Sequence, residues 1–195
     1  MSNVFSKVDK YYNYDEFATL VEQLVVDEKT TGPDQSERLV AFTKLNAQRM
    51  KRVIKTTKLS DELVDKLKSK PKQIWWLITE AWCGDSAQNL PVFAKLAAAS
   101  EGSIDLRILL RDDNPEIMDN YLTNGGRSIP KLVAQKDGED IFTWGPRPQH
   151  GQDMLKEWKA DPNGRSHDDF EQDLHAWYAK NRGADLLAEV EALIK

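Results

Sequence analysis

The sequence predicts an α/β fold in which helices flank a central mixed β-sheet, and three observations carry this. Gln73 to Thr79 is an almost continuous run of aromatic and β-branched side chains, the pattern of a central strand covered on both faces. The middle of the chain then reads β-α-β-α-β-β-α, and a right-handed crossover makes the first two strands parallel. Asp137-Gly138-Glu139 joins two short strand patterns as a hairpin, which adds antiparallel strands. Helical sequence lies on both sides of this block.

Taken in order, Phe17, Leu20, Val21, Leu24 and Val25 recur at spacings of three and four and form one apolar helical stripe, with Asp15 and Glu16 at its positive end. Thr30-Thr31-Gly32-Pro33-Asp34 is a turn. A second helix runs from Asp34 or Ser36 to about Thr57, with Leu39, Phe42, Leu45, Met50 and Val53 inward. Arg49, Lys51, Arg52, Lys55 and Lys58 make its outer face and end basic, as the dipole favours. Ser60-Asp61-Glu62-Leu63 caps a third helix, which ends at Lys68-Ser69-Lys70-Pro71-Lys72. After the first strand, Ser86 to about Ser100 is a helix and Ile104 to Leu110 a second strand. Asn114-Pro115-Glu116 opens a short helix with proline at its first position. Lys131–Lys136 and Asp140–Trp144 are the hairpin strands. Gln152–Lys159 is a helix, and Asp168 to about Ile194 is mostly helix with a break at Gly183. Phe170, Leu174, Trp177 and Tyr178 form a core stripe in that last segment.

Length and composition bound the function. The 195 residues, 40% hydrophobic and 30% charged, suit an ordinary globular protein with a real core. Apolar runs such as Ile74–Ile78 are too short to span a membrane, and the first residues show no secretory signal, so a cytoplasmic protein is expected. A net charge of −5 argues against nucleic-acid and anionic-membrane partners. One cysteine, Cys83, excludes an internal disulfide. Neither that single cysteine nor His150, His167 and His175 has metal-ligand spacing: on one helix, His167 and His175 stand about 12 Å apart, so no metal site is expected. Asn124-Gly125-Gly126 lacks the strand-before, helix-after setting of a phosphate loop and reads as a turn.

Cys83 lies in Trp82-Cys83-Gly84-Asp85-Ser86, between a buried strand and a helix start. Pro91 follows it by eight residues, Ser128-Ile129-Pro130 precedes the hairpin, and Gly145 follows it. Residues 72 to 160 thereby resemble a thioredoxin fold, a three-layer α/β/α arrangement. The resemblance implies a nucleophilic site at Cys83, a kink at Pro91, a cis-proline at Pro130 and a glycine opening the last helix at Gly145. Through Trp82-Cys83-Gly84-Asp85, Asn124–Pro130 and Trp144-Gly145-Pro146-Arg147-Pro148, the chain is similar to a narrower thioredoxin-like group with an N-terminal helical extension. The expected organisation is therefore a helical extension over 1–71 packed on a thioredoxin-like core over 72–160, with a C-terminal helical segment over 161–195.

The chemistry expected at Cys83 follows from its place. At a helix start, unpaired N–H groups and the dipole favour thiolate, and Ser86, one turn on, can donate an O–H to the sulfur. Asp85 opposes this if it lies near the sulfur. An outward-facing Asp85 that serves the helix end is the favoured expectation. Ser86 stands where a dithiol enzyme has its resolving cysteine, and Leu77 where the resemblance implies a buried aspartate. Ordinary dithiol reduction is therefore not expected. Three readings stay open. Cys83 and Ser86 can carry monothiol exchange or thiol-dependent capture of protein or peptide thiols and disulfides, with an external small thiol such as glutathione releasing the product. Alternatively the groove between Cys83 and Pro130 holds an extended peptide without redox chemistry, with the Ile129 backbone pairing to it. Otherwise Cys83 is a small buried residue of an inherited fold. Trp82, Gly84, Asp85, Ile129 and Pro130 would line that groove, and Arg127 and Arg147 can place a positive charge beside it. Cys83-Gly84-Asp85-Ser86 also resembles monothiol glutaredoxins, some of which share an iron–sulfur cluster with glutathione. Asp85, Trp82 and the lack of a glutathione-binding loop depart from that pattern. No tightly held cofactor is expected.

Overall fold

The structure is a computed structural model that describes residues 3–194; positions 1, 2 and 195 of the expected terminal segments lie outside the described residues. The chain enters through a 3-10 turn, Val4–Lys7, and then helix α1 (Tyr14–Val26). A capping box starts α1: the Asn13 side chain accepts the Glu16 N–H at 3.0 Å, and the Glu16 carboxylate accepts the Asn13 N–H at 2.8 Å. Helices α2 (Glu37–Thr56) and α3 (Asp61–Lys68) follow, α3 capped by Ser60. Then come β1 (Gln73–Thr79), α4 (Gly84–Ala99), β2 (Ile104–Leu110), α5 (Pro115–Met118), β3 (Lys131–Lys136) and β4 (Glu139–Trp144). Helices α6 (Gln149–Ala160), α7 (His167–Asn181) and α8 (Ala184–Leu193) complete the described chain.

The four strands are ordered β2-β1-β3-β4. β1 runs parallel to β2 and antiparallel to β3, and β3 pairs antiparallel with β4. The β3–β4 turn places Asp137 at φ 53° and Gly138 at φ 84°, the doubly left-handed geometry that a two-residue hairpin needs. β1 is central, and its side chains divide by parity. Trp75 and Leu77 join one core with Phe17, Met50, Leu67, Phe93 and Val190, from α1 to α4 and α8. Trp76 and Ile78 join a second core with Phe5, Ile117, Met118, Ile129 and Cys83. Each such buried side chain contributes about 1.5–3 kcal/mol. The N-terminal helices therefore share one apolar interior with the sheet. A third cluster, Phe170, Leu174 and Tyr178 with Trp158 and Met154, fastens α7 to α6.

Several local expectations are corrected. Leu45 is 41% exposed, while Thr43 and Asn46 take the inward face of α2. Polar side chains stand there because they have partners: Thr43 meets Thr30 at 2.6 Å, and Asn46 Nδ2 donates to the Ala81 carbonyl at 2.9 Å. Gly145 does not open the last helix of the core. α6 starts at Gln149, after a connector with a cis Gly145–Pro146 peptide. Gly145 sits at φ 122°, where an added Cβ would overlap the Pro130 carbonyl. The break near Gly183 is real: Arg182 and Gly183 are both left-handed, and they end α7 and start α8.

Candidate functional site around Cys83

The loop after β1 is held by side chains from α2 and from the turn that precedes it. Thr31 Oγ1 accepts the Ala81 N–H at 2.9 Å while Asn46 donates to its carbonyl, so both backbone polar groups of one residue are fixed by buried side chains. Glu80, 1% exposed, accepts the Asp112 N–H at 2.8 Å. Its other oxygen finds no partner, and burial raises its carboxyl above the ordinary range. Sequence reasoning missed this acid; a glutamate directly after a buried strand was its only trace.

This anchoring brings Cys83 to the N-cap of α4, one residue before Gly84 begins the helix, rather than three before a start at Ser86. Its φ and ψ are extended, and its sulfur accepts the Ser86 N–H at 3.5 Å. The thiol donates to the Ile129 carbonyl at 3.3 Å, beside the Ile129–Pro130 peptide, which is cis. The Ser86 hydroxyl is engaged by Thr79 at 2.5 Å. Burial first and the Asp85 carboxylate second push the thiol up to about 11, against the opposing pull of Ser86 and Arg147. At 7% exposure the lost hydration outweighs the helix-end donors that the sequence suggested would favour thiolate.

Asp85 does not face outward. It is 8% exposed, and its carboxylate accepts from Arg147 Nη2 at 2.6 Å and from the Tyr178 hydroxyl at 2.8 Å. Burial raises its carboxyl, with Arg147 and Tyr178 opposing. The carboxylate turns inward because α7, through Tyr178, and the β4–α6 connector, through Arg147, close over the start of α4. Asn89 bridges the same group, donating to the Asp85 carbonyl and to the Tyr178 oxygen.

Trp82 is half-buried and lies under the Arg111 guanidinium, 4.9 Å from the ring centroid. Arg127 is spent on a two-pronged pair with Asp119, 2.7 Å on each prong, and stands on the cavity rim. Arg147 is thus the one of the two expected arginines that acts on the sulfur. A cavity of about 590 Å³ opens above Cys83, and Trp82, Gly84, Asp85, Ile129, Arg127 and Arg147 all line it. Pro130, expected in the groove, does not line this cavity, and its carbonyl packs against Gly145.

Arg49 and His175 complete the wall and Tyr178 backs it through Asp85, and the sequence offered no signal for their convergence. Arg49, assigned from sequence to an outer basic face, is half-buried and borders the cavity with Phe42. His175 comes from α7 and lies against Gly84, where an added Cβ would sit 2.8 Å from its Nε2. Tyr178, expected only as core, adds its hydroxyl to Asp85. Burial first, then Arg49, Arg147 and Arg52, lower His175 to about 3, so its ring is neutral at physiological pH. No helix among the described residues is long and apolar enough to cross a membrane.

A family model described as Thioredoxin matches residues 32–159. The chain is 40% identical over 62 residues to a thioredoxin of Pyropia yezoensis, covering 32% of this chain and 55% of the relative. It is 35% identical over 60 residues to thioredoxin 1 of a Nostoc strain, covering 31% and 53%. It thus spans about half the length of the curated relatives it matches. Among solved structures, a protein of unknown function from Pseudomonas aeruginosa aligns over 94% of this chain and 97% of its own, with TM-score 0.58 and 17% identity. An HIV epitope scaffold aligns over 93% and 99%, with TM-score 0.52 and 16% identity. These two likenesses concern the fold alone. The family match covers well over half of the chain, and its residues include the β1–α4 turn, the cis Ile129–Pro130 peptide and the hairpin: this protein belongs to the thioredoxin family.

Proposed function

We propose that this protein uses the groove beside Cys83, Ile129 and Pro130 to hold an extended polypeptide, with Cys83 kept as a protonated thiol in the groove floor. The observation that carries this reading is the state of the sulfur: buried, hydrogen-bonded as a donor to the Ile129 carbonyl, and pushed up to about 11. A nucleophile needs thiolate, and this setting withholds it at neutral pH. The Ile129 N–H supports the ligand side of the reading, because it donates to no acceptor among the described residues. An incoming strand can take that N–H and share the Ile129 carbonyl, as sheet-edge recognition requires. The raised thiol also speaks against an iron–sulfur role, which needs Cys83 as thiolate.

The test is the pH profile of Cys83 alkylation by iodoacetamide, with the urea-unfolded chain as reference. The rate should stay well below that of the unfolded chain at pH 7, with its inflection above pH 10. An inflection below pH 8 with fast alkylation would sink the proposal.

Such a result would favour monothiol exchange, for which one observation speaks: Cys83 is the N-cap of α4, with the Ser86 N–H on its sulfur. In that reaction Cys83 thiolate attacks one sulfur of a substrate disulfide. A mixed disulfide forms, and the other substrate sulfur leaves as thiolate. A small external thiol then attacks the mixed disulfide and restores Cys83. Treatment with an oxidised small-molecule disulfide, read by intact mass, would show the adduct accumulating.

A further inference from the structure

The wall of the Cys83 cavity carries cationic donors that the protein itself leaves unspent. Arg49 is half-buried, yet among the described residues no carboxylate lies within ion-pair distance of it; its one hydrogen bond is Nη1 to the Asn46 amide oxygen at 2.9 Å. The other cavity arginines differ: Arg38, Arg111, Arg127 and Arg147 pair with Asp168, Asp112, Asp119 and Asp85. Even Arg147 keeps Nε and Nη1 buried without an acceptor.

His175 adds a neutral donor whose direction can be assigned. The Gln88 amide oxygen accepts from Arg52 at 3.1 Å, so its NH₂ faces His175 Nδ1, also at 3.1 Å. Nδ1 is then an acceptor and the ring proton sits on Nε2. That Nε2–H and Arg49 Nη1 converge on Gly84: a Cβ built there would meet them at 2.8 and 3.3 Å. Only glycine leaves both donors room above the first turn of α4. Leu39, Phe42 and Leu155 add an apolar part to the same lining. Glu171 and Asp85 act on Arg49 only from a distance, without an ion pair, so an arginine half out of water gains from a ligand that supplies the anion directly.

We infer that the cavity recognises a carboxylate, carried by an acidic residue of the bound polypeptide and seated beside Gly84 on the N–H donors of Arg49 and His175. This deepens the groove reading and rests on it: the Ile129 backbone holds the strand, and Arg49 selects an acidic side chain. Asp85 does not repel that group strongly, because its charge is taken up by Arg147 and Tyr178. Glu171, on the same wall, is the internal competitor.

The experiment uses the whole chain and three probes: acetyl-Val-Glu-Val-amide, its glutamine counterpart and free succinate, titrated while backbone and arginine side-chain N–H resonances are followed. The glutamate peptide should shift both Gly84 and Ile129 and bind about tenfold or more tightly than the glutamine peptide. Arg49→Gln should abolish that difference, and Glu171→Gln should raise affinity for the glutamate peptide. Equal binding of the two peptides at Ile129 to the wild-type chain would overturn the carboxylate subsite and leave the groove standing. Succinate shifting Gly84 and Arg49 while neither peptide reaches Ile129 would support the subsite and overturn the groove. A Gly84 resonance that no probe moves overturns the subsite, and this holds whether or not the Arg49 variant folds.

Discussion

His175→Gln isolates the contribution of one buried imidazole to the pH dependence of folding. His175 is lowered from 6.5 to about 3, first by burial and then by Arg49, Arg147 and Arg52 around it. The carboxylates facing the same space are Asp85, held by Arg147, and Glu171, one turn earlier on α7. The folded pKa is depressed, so the unfolded chain binds the proton first. Stability is complete above the unfolded value and falls as pH drops from about 6.5 toward 3. Between pH 7 and pH 5 the folded imidazole stays neutral while the unfolded one titrates, which costs the native state about 2 kcal/mol through this group alone. For a chain of this size that is a fall of about 4–8 °C in Tm. Urea unfolding of the wild type and of His175→Gln at both pH values is the assay, and the difference between the two slopes is the quantity of interest. It cancels the other histidines and the carboxylates common to both chains. Parallel losses in the two proteins would refute the reasoning, because they would mean that His175 takes its proton in the folded state as readily as in the unfolded one.

Three other outcomes are expected. Cys83 is raised from 9.0 to about 11, so its contribution is complete below pH 9 and is lost as pH rises toward 11. Wild type should lose about 2 kcal/mol more than Cys83→Ala between pH 8 and 10.5 in urea melts, and an equal loss would contradict the buried-thiol assignment. Asp85→Asn removes the negative charge beside the sulfur and leaves Arg147 without its partner. The alkylation inflection should fall by about one pH unit or more, and unfolding free energy by about 2–4 kcal/mol; an unmoved inflection would show that the sulfur does not sense Asp85. Gly145→Ala forces a side chain onto the Pro130 carbonyl at a φ of 122°. It should lower Tm by about 6 °C or more, and a wild-type Tm would mean that the connector relaxes freely.

What the sequence made legible was whatever repeats locally. The apolar run of β1, the Asp137–Gly138 turn and the Ser60 cap each rest on neighbours within a few positions, and the four strands stand where the chain was read to have them. The place of Cys83 between a strand and a helix was legible for the same reason. The inward face of α2 was not. An apolar periodicity that counts Leu45 and passes over Asn46 cannot know that the Ala81 carbonyl, distant in sequence, needs a donor there. Asp85 was misplaced for a related reason: whether a first-turn acid points to water depends on what covers the helix, and here Tyr178 and Arg147 cover it. The same blindness hid Arg49 and His175, ordinary polar residues until two separate helices bring them to Gly84.

The segment shared with the thioredoxin family ends at residue 159, whereas His175 and Tyr178 lie beyond it on α7. The part of the chain that specifies the fold is therefore not the whole of the part that holds Asp85, the carboxylate next to its cysteine. Two relatives could superpose strand for strand and still hold that carboxylate differently, according to what each lays across the start of α4. Inherited activity should accordingly be traced through the covering helix as well as through the Trp-Cys-Gly turn, and grafting α7 onto a relative that lacks it would transfer the microenvironment without altering the motif.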